Sequence, residues 1–385
     1  MKFLLLLVSF LLLAFDVDAV GNERSNVIKL KSLRSQLPND HRNYIPNYSK
    51  EYVIDVIFVG ESQKVFVVSL ESGASDFWLL NSSYPHGSNV DTFNTSDPKS
   101  TAVDSGRVFQ STSADYGIYG NIFYDSVNYY GVWNQSFGVV NKIEGQWYDP
   151  KFNGIISGAI GLSWNPKLKN EPLTADSAFI LNTFAASPEL PRYFSMACSE
   201  TSDDNSEEAS GEITFGRMSD LCERNQIAST SLYFDDTYNS LSFKVDSFAM
   251  EKQKINGDVA KIDSGLPTMI VPEDAFNLIY DVIQPDYDYD RQLYTTECSN
   301  IGKFDDFVFT IGGVDLVVPS TIYIVDLGLG NNQCVVKLTE FTGDFTTPYT
   351  LGLPFQFAYC VKWDIENDKI SMFNYAADKN SNRVN

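Results

Sequence analysis

The chain has 385 residues, enough for two lobes of ordinary domain size, and 43% of them are apolar, enough for a sizeable core. Acids outnumber bases 50 to 28, and the formal charge of −22 argues against nucleic acid and anionic membrane partners. The same excess suits a protein that meets low pH, and the 27 Phe and 21 Tyr favour strands.

The N-terminus reads MKFLLLLVSFLLLAFDVDA. Lys2 is a minimal basic start, an apolar run follows, and Val17 and Ala19 are small residues placed for cleavage. Residues 1–19 are therefore read as a secretory signal peptide. The run from Phe3 to Phe15 is too short to span a bilayer as an anchor, and no later segment is apolar enough to span. Secretion makes disulfides available to the five cysteines, Cys198, Cys222, Cys298, Cys334 and Cys360, and their odd number leaves at least one outside any internal pair. Glycosylation sequons fall at Asn47, Asn81, Asn94 and Asn134, all in polar, turn-like contexts.

Short apolar runs then alternate with clusters of Gly, Asn, Asp and Ser. EYVIDVIFVG, KVFVVSL, FSMAC, GEITFG, SFKVDSFAM, DDFVFTIGGVDLVV and DKISMF read as strands. Two segments read as helices. Residues 174–186 open on Thr174, a capping residue; residues 272–283 open on a proline and two acids, with Ala275, Leu278, Ile279 and Val282 on one face. Residues 199–210, SETSDDNSEEAS, read as a solvated hairpin loop between two strands. The fold expected is mostly β with a few short helices.

One turn recurs, once in each half. LESGASDFWLL starts at Leu70 and IDSGLPTMIV at Ile262, each with an apolar run, an acid, Ser and Gly. Two carboxylates that share one water act as acid and base together, because held close they do not both ionise easily. Such work needs rigid tight turns: the glycine lets the backbone fold closely, and the hydroxyl can pin the opposite turn. Other chemistry has little support. His41 and His86 lie in polar loop contexts, no cysteine pair has CxxC spacing, and no glycine-rich phosphate loop is present. Neither a metal nor a cofactor is called for.

These turns resemble those of the pepsin and cathepsin D family of aspartic endopeptidases, and the resemblance covers nearly the whole secreted chain. Glu71-Ser72-Gly73 and Asp263-Ser264-Gly265 match the family's Asp-Thr/Ser-Gly turns, with Glu in place of the first Asp. Trp78 matches the tryptophan after the first turn, and Tyr116–Val127 looks like the flap hairpin, with Tyr116 at the flap tyrosine and the hairpin shorter than usual. SGAIGLSW (157–164) and TLGLPF (350–355) look like the segments threading behind the two acids, and the last strands, KWDIENDKISMF, match as well.

The resemblance implies a bilobal pepsin-like fold with a cleft between an N-terminal lobe, 48–221, and a C-terminal lobe, 222–385. Residues 20–47 become a shortened prosegment, with NVIKLKSLRSQL similar to the family propeptide's first strand. It also implies a Cys298–Cys334 disulfide and a Cys222–Cys360 bridge between strands that meet in the inter-lobe sheet, leaving Cys198 outside. A Cys198–Cys222 bridge is not expected, because those residues lie toward opposite ends of one hairpin. The implied activity is hydrolysis of peptide bonds at acid pH by a secreted monomer, extracellular or in a lysosome or other acidic compartment. The partner is a peptide or protein in the cleft.

The departures are chemical. Glu71 adds a methylene, and a displacement of about an ångström at a reacting group can cost roughly a hundredfold in rate. Ala74 and Leu266 stand where the family has hydroxyl residues that orient the acids, and Leu353 replaces an Asp. Ser72 and Ser264 are kept. The expectation is a pepsin-like homologue with reduced or lost activity. Its rivals are a secreted protein that binds peptides in the same cleft without cutting them, and a storage protein or surface antigen with no ligand.

Overall fold

The apolar runs fold as strands, and the turns between them are made where Gly, Asn and Asp interrupt. The computed structural model describes residues 27–32, 52–59, 65–85, 90–112, 116–127, 132–145, 156–174, 176–198, 211–238, 240–289, 293–341 and 347–376. Residues 1–19, read as a signal peptide, the rest of 20–47, read as a prosegment and including His41 and Asn47, His86, and the acidic stretch 199–210 lie outside these residues. Strands form sheets of thirteen, six, four and four members.

The two halves repeat one strand pattern around the acid turns. In the first half, Val65–Glu71 runs into the turn and Phe77–Leu80 leaves it. Gly158–Gly161 inserts between them, parallel to the entering strand (Glu71 opposite Gly161) and antiparallel to the leaving one (Trp78 opposite Ala159). In the second half, Val259–Ile262 enters, Met269–Val271 leaves, and Tyr349–Leu351 inserts with the same two senses, Ile262 opposite Leu351 and Ile270 opposite Thr350. Each leaving strand also pairs in parallel with a further strand, Trp78 with Gly138 and Met269 with Leu338. Because the inserted strand separates entering from leaving strand, each acid turn must bridge across it. The connection after each acid therefore covers two strand spacings, roughly 9.5 Å, and each acid stands where its entering strand ends.

The thirteen-stranded sheet joins both ends of the chain. The strand Val27–Ser32, from the segment read as a prosegment, pairs with Gly211–Phe215 on one side and with Tyr52–Val59 on the other. Beyond Gly211–Phe215 come Tyr193–Cys198, Cys360–Asp364, Lys369–Tyr375 and Cys222–Ser231. One large core cluster draws on both halves, from Phe66 to Met372, and is rich in aromatic rings. Phe194 stacks on Trp363 with centroids 4.9 Å apart, Phe93 meets Phe137 edge-on at 5.3 Å, and Phe248 meets Phe309 at 5.1 Å.

Two local expectations shift. The first helix is Phe179–Ala186, not 174–186, and Ala178 precedes it without a side-chain cap. Thr174 is spent on a turn of its own: its Oγ1 accepts from Asp176 N and its backbone N–H donates to Ser177 Oγ. SFKVDSFAM is two strands, Ser240–Lys244 and Ser247–Met250, in different sheets. The chain swings between them because Val245 N donates to Asp258 O and Asp246 N to Thr310 O. The second helix, Glu273–Ile283, has its two acids in the first turn, and it buries Ala275, Leu278 and Ile279 together with Phe276 and Ile283. No helix among the described residues is long and apolar enough to cross a membrane.

Cys298 and Cys334 are bonded, as are Cys222 and Cys360. The second bond follows from sheet order: Cys222 lies opposite Tyr375 and Cys360 opposite Phe373, on either side of one strand. Cys198 belongs to neither bond and is buried, its Sγ 4.0 Å from Gln356 Oε1. Loop closure sets the expected contributions. Cys298 and Cys334 are 36 residues apart and Cys222 and Cys360 are 138 apart. Replacing each pair by alanines should cost about 4 and about 5 kcal/mol in denaturant unfolding. Equal losses for the two pairs, or none, would contradict this ordering.

Candidate active site

Glu71 ends its strand and Asp263 follows directly after its own, so neither acid needs a flexible arm to reach the turn. The turns are locked to each other by a reciprocal set of hydrogen bonds. Ser72 N–H donates to Ser264 Oγ at 3.0 Å, and Ser264 N–H donates to Ser72 Oγ at 3.0 Å. Each hydroxyl then donates across the interface to the other half's strand, Ser72 Oγ to Ile262 O at 3.0 Å and Ser264 Oγ to Leu70 O at 2.7 Å. Ser72 and Ser264 are buried, so these four bonds form away from water.

The glycines show how closely the acids approach. A Cβ on Gly73 would collide with the Asp263 carboxylate, and a Cβ on Gly265 would lie 3.0 Å from Glu71 Cγ and 3.6 Å from its Cδ. Each glycine therefore makes room for the other turn's acid, and the two carboxyl groups converge. Asp263 Oδ1 accepts from Gly265 N at 3.0 Å. The methylene that Glu71 adds is the atom packed against Gly265.

The segments behind the turns supply backbone support. Leu162 N donates to Glu71 O and Ser163 N to Ala74 O; in the second half Asp263 N donates to Leu351 O and Leu353 N to Leu266 O. Neither Ala74 nor Leu266 carries a hydroxyl to offer a carboxylate.

Trp78 is buried beneath the hairpin of Val103–Thr112 and Tyr116–Val127, packed with Leu80, Phe109, Ile118, Val140 and Ala159. Tyr116–Val127 is thus one strand of this hairpin rather than the whole of it. Tyr116 opens the returning strand, opposite Gly145.

Asp76, on the way out of the first turn, ties this hairpin to the site. Its backbone oxygen accepts from Gly161 N, and its carboxylate accepts from Ser111 Oγ on the hairpin. Desolvation pushes the Asp76 carboxyl above the usual carboxylate range, and the Ser111 hydroxyl only partly offsets that. A carboxyl raised on folding binds its proton more tightly in the folded state. Its penalty is absent below the unfolded value and fully present above the folded one. Asp76→Asn keeps an oxygen for Ser111 and removes the charge. It should raise the melting temperature at neutral pH, with the gain vanishing as pH falls through the acid range. A gain that grew on acidification would contradict the sign.

Two site residues carry no signal in the turn motif. Ser69 Oγ donates to Glu71 Oε1 at 3.1 Å, and Lys261 Nζ lies 3.5 Å from Asp263 Oδ2. Both sit two residues before an acid, and each is a polar residue within an otherwise apolar strand. That interruption was the available clue. Among the described residues, the side chains of Cys298, Asp326 and Cys334 bring their sulfur and oxygen atoms within 4.8 Å of one another, and the two sulfurs are joined in a disulfide.

The profile of the eukaryotic aspartyl protease family matches residues 51–375. The chain belongs to this family. It is 24% identical over 351 residues to Aspartic protease 1 of Caenorhabditis elegans, covering 88% of this chain and 85% of that one. It is 25% identical over 342 residues to pepsin A of Bos taurus, covering 85% of each. Among solved structures, the aspartic proteinase from Irpex lacteus superposes with a TM-score of 0.69 at 15% identity, over 93% of this chain and 99% of that one. The mostly β, pepsin-like fold is thereby shared. In this aspartyl protease homologue the two acid turns occupy equivalent places in the two halves, and the first carries Glu71.

Proposed function

We propose that this chain is a secreted, pepsin-like aspartic endopeptidase homologue with strongly reduced turnover. It takes an extended peptide or protein segment into a cleft between lobes 48–221 and 222–385. The observation that carries this reading is the reciprocal Ser72–Ser264 lock, which holds Glu71 and Asp263 against each other's turns. Between two such carboxyls a water can lose a proton to one while the other protonates the peptide oxygen, so that the amide carbon gains an oxygen; the proton taken from water then passes to the leaving nitrogen as the C–N bond breaks and the carbonyl re-forms, its proton returning to the second carboxyl. Water is the only co-reactant, so no cofactor is required. Tyr116 closes over the substrate, and Trp78 supports the hairpin that carries it.

Turnover is low in this reading because Glu71 is longer than the aspartate it replaces, and Ala74 and Leu266 offer no hydroxyls. The same arrangement supports a second reading, a non-catalytic peptide-binding protein, because the turn lock and the Trp78 packing are retained while the hydroxyls that orient the acids are not. Residues 1–19 are the leader, 20–47 the shortened prosegment, and the mature chain is a monomer that works outside the cell or in an acidic compartment. Asn94 and Asn134 are exposed and Asn81 is half-buried. Asn81 and Asn94 each accept from the N–H two residues on, at 2.9 and 3.0 Å, so these sequons sit in turns of the kind that present a glycan outward.

The experiment is digestion of a broad peptide mixture by the purified protein from acidic to neutral pH, with Asp263→Asn as the blank, beside pepstatin affinity by calorimetry. Slow cleavage lost in the blank supports the first reading. Pepstatin binding without cleavage supports the second, and neither binding nor cleavage overturns both.

A further inference from the structure

Strand alternation sends the side chain two residues before an acid to the same face as that acid. In both halves that position carries a polar residue inside an apolar strand. Ser69, 2% exposed, donates to Glu71 Oε1 at 3.1 Å. Lys261 lies 3.5 Å from Asp263 Oδ2, with the two side chains 14% and 18% exposed. The positions are equivalent in the repeated pattern: Ser69 lies opposite Ala159 and Lys261 opposite Thr350, each on the inserted strand of its own half. The residues three after each acid are Ala74 and Leu266, which cannot hydrogen-bond a carboxylate through their side chains.

We propose that the bracing of the acid pair has moved from the residue three after each acid to the residue two before it, with Ser69 as the positioning residue for Glu71 and Lys261 as that for Asp263. The inference deepens the reading of Glu71 and Asp263 as the reactive pair and rests on it. The two braces are chemically unlike. A hydroxyl orients Glu71 without changing the charge of the site. An ammonium fixes Asp263 as half of an ion pair and places a positive charge beside the two acids. Because Lys261 is largely removed from water, its charge needs a partner nearby, and Asp263 is the partner in its ion pair.

This arrangement reverses an ordinary expectation. In a bare pair of facing acids, neutralising one relieves repulsion and stabilises the fold. Here, neutralising Asp263 strands the Lys261 ammonium. Four proteins decide the matter by thermal unfolding at neutral pH: wild type, Lys261→Met, Asp263→Asn and the double variant. Asp263→Asn should lower the melting temperature by roughly 3–6 °C, and the double variant should melt above Asp263→Asn because the stranded charge is gone. Stabilisation by Asp263→Asn, or additive effects in the double variant, overturns the Lys261 brace. This readout does not require turnover, so it is separable from failure of the proposed activity.

A second measurement tests positioning. Pepstatin presents a secondary alcohol where the scissile amide would lie, so its affinity reports the orientation of the two carboxyls. Lys261→Met and Ser69→Ala should each weaken it by about tenfold, and Lys261→Arg should recover most of the loss. Unchanged affinity in both variants shows that neither residue orients an acid.

Discussion

Ser264→Ala is expected to cost roughly 2–5 kcal/mol of folding free energy and to abolish pepstatin binding, because one hydroxyl serves two buried backbone groups. The Ser264 oxygen accepts from Ser72 N–H and donates to Leu70 O, and its side chain is fully buried. Alanine leaves that donor and that acceptor facing a methyl group. Leu70 directly precedes Glu71, so the disturbance enters the first acid turn itself. Ser72→Ala should act alike, since Ser72 Oγ accepts from Ser264 N–H and donates to Ile262 O, next to Asp263. The double variant should lose less than the sum. Once one hydroxyl is gone the turns part and water reaches the groups that the second loss would strand. Ser264→Thr restores the hydroxyl and should regain most of the stability. Urea unfolding and calorimetry give the two readouts. A Ser264→Ala protein as stable as wild type, with pepstatin bound as tightly, would show that the turns are held together elsewhere.

Much of this arrangement was legible in the sequence because it depends on local chemistry. Apolar runs between Gly, Asn and Asp clusters became strands, and the proline, two acids and one apolar face at 272–283 became a helix. The acid-Ser-Gly turns were legible because tight geometry demands those residue types. The errors arose where a particular partner outbid a general preference, near in sequence in one case and distant in the other. Thr174 could cap a helix, yet it found Asp176 and Ser177 and closed a separate turn. SFKVDSFAM reads as one strand, but Asp258 and Thr310 draw Val245 and Asp246 toward different sheets. Ser69 and Lys261 escaped notice for a related reason. Strand alternation puts the residue two before each acid on the acid's side, but a single polar residue there has no assigned role until its contact is seen, Ser69 Oγ on Glu71 Oε1 and Lys261 Nζ beside Asp263 Oδ2.

The braces change what a repaired site must contain. Glu71→Asp alone should restore little peptide cleavage. The shorter carboxylate withdraws from Ser69, whose hydroxyl meets Glu71 at Oε1, and it gains nothing from Ala74 in return. Adding Ala74→Ser and Leu266→Thr supplies a hydroxyl for each acid from its own turn. The added threonine then competes with Lys261 for Asp263, because Oδ1 already accepts from Gly265 N–H and Oδ2 already faces the ammonium. A fourth change, Lys261→Val, removes the competitor and returns an apolar residue to the strand. The four-fold variant should cleave a broad peptide mixture at acid pH roughly a hundredfold faster than wild type, the scale of rate lost when a reacting group sits about an ångström out of place. The gain should exceed the product of the single effects, since all four positions act on one pair of carboxyls. Asp263→Asn in the same background is the blank. Robust wild-type cleavage that disappears in Asp263→Asn would show instead that Glu71, Ser69 and Lys261 already form an efficient site, with the longer acid and the displaced braces matched to each other.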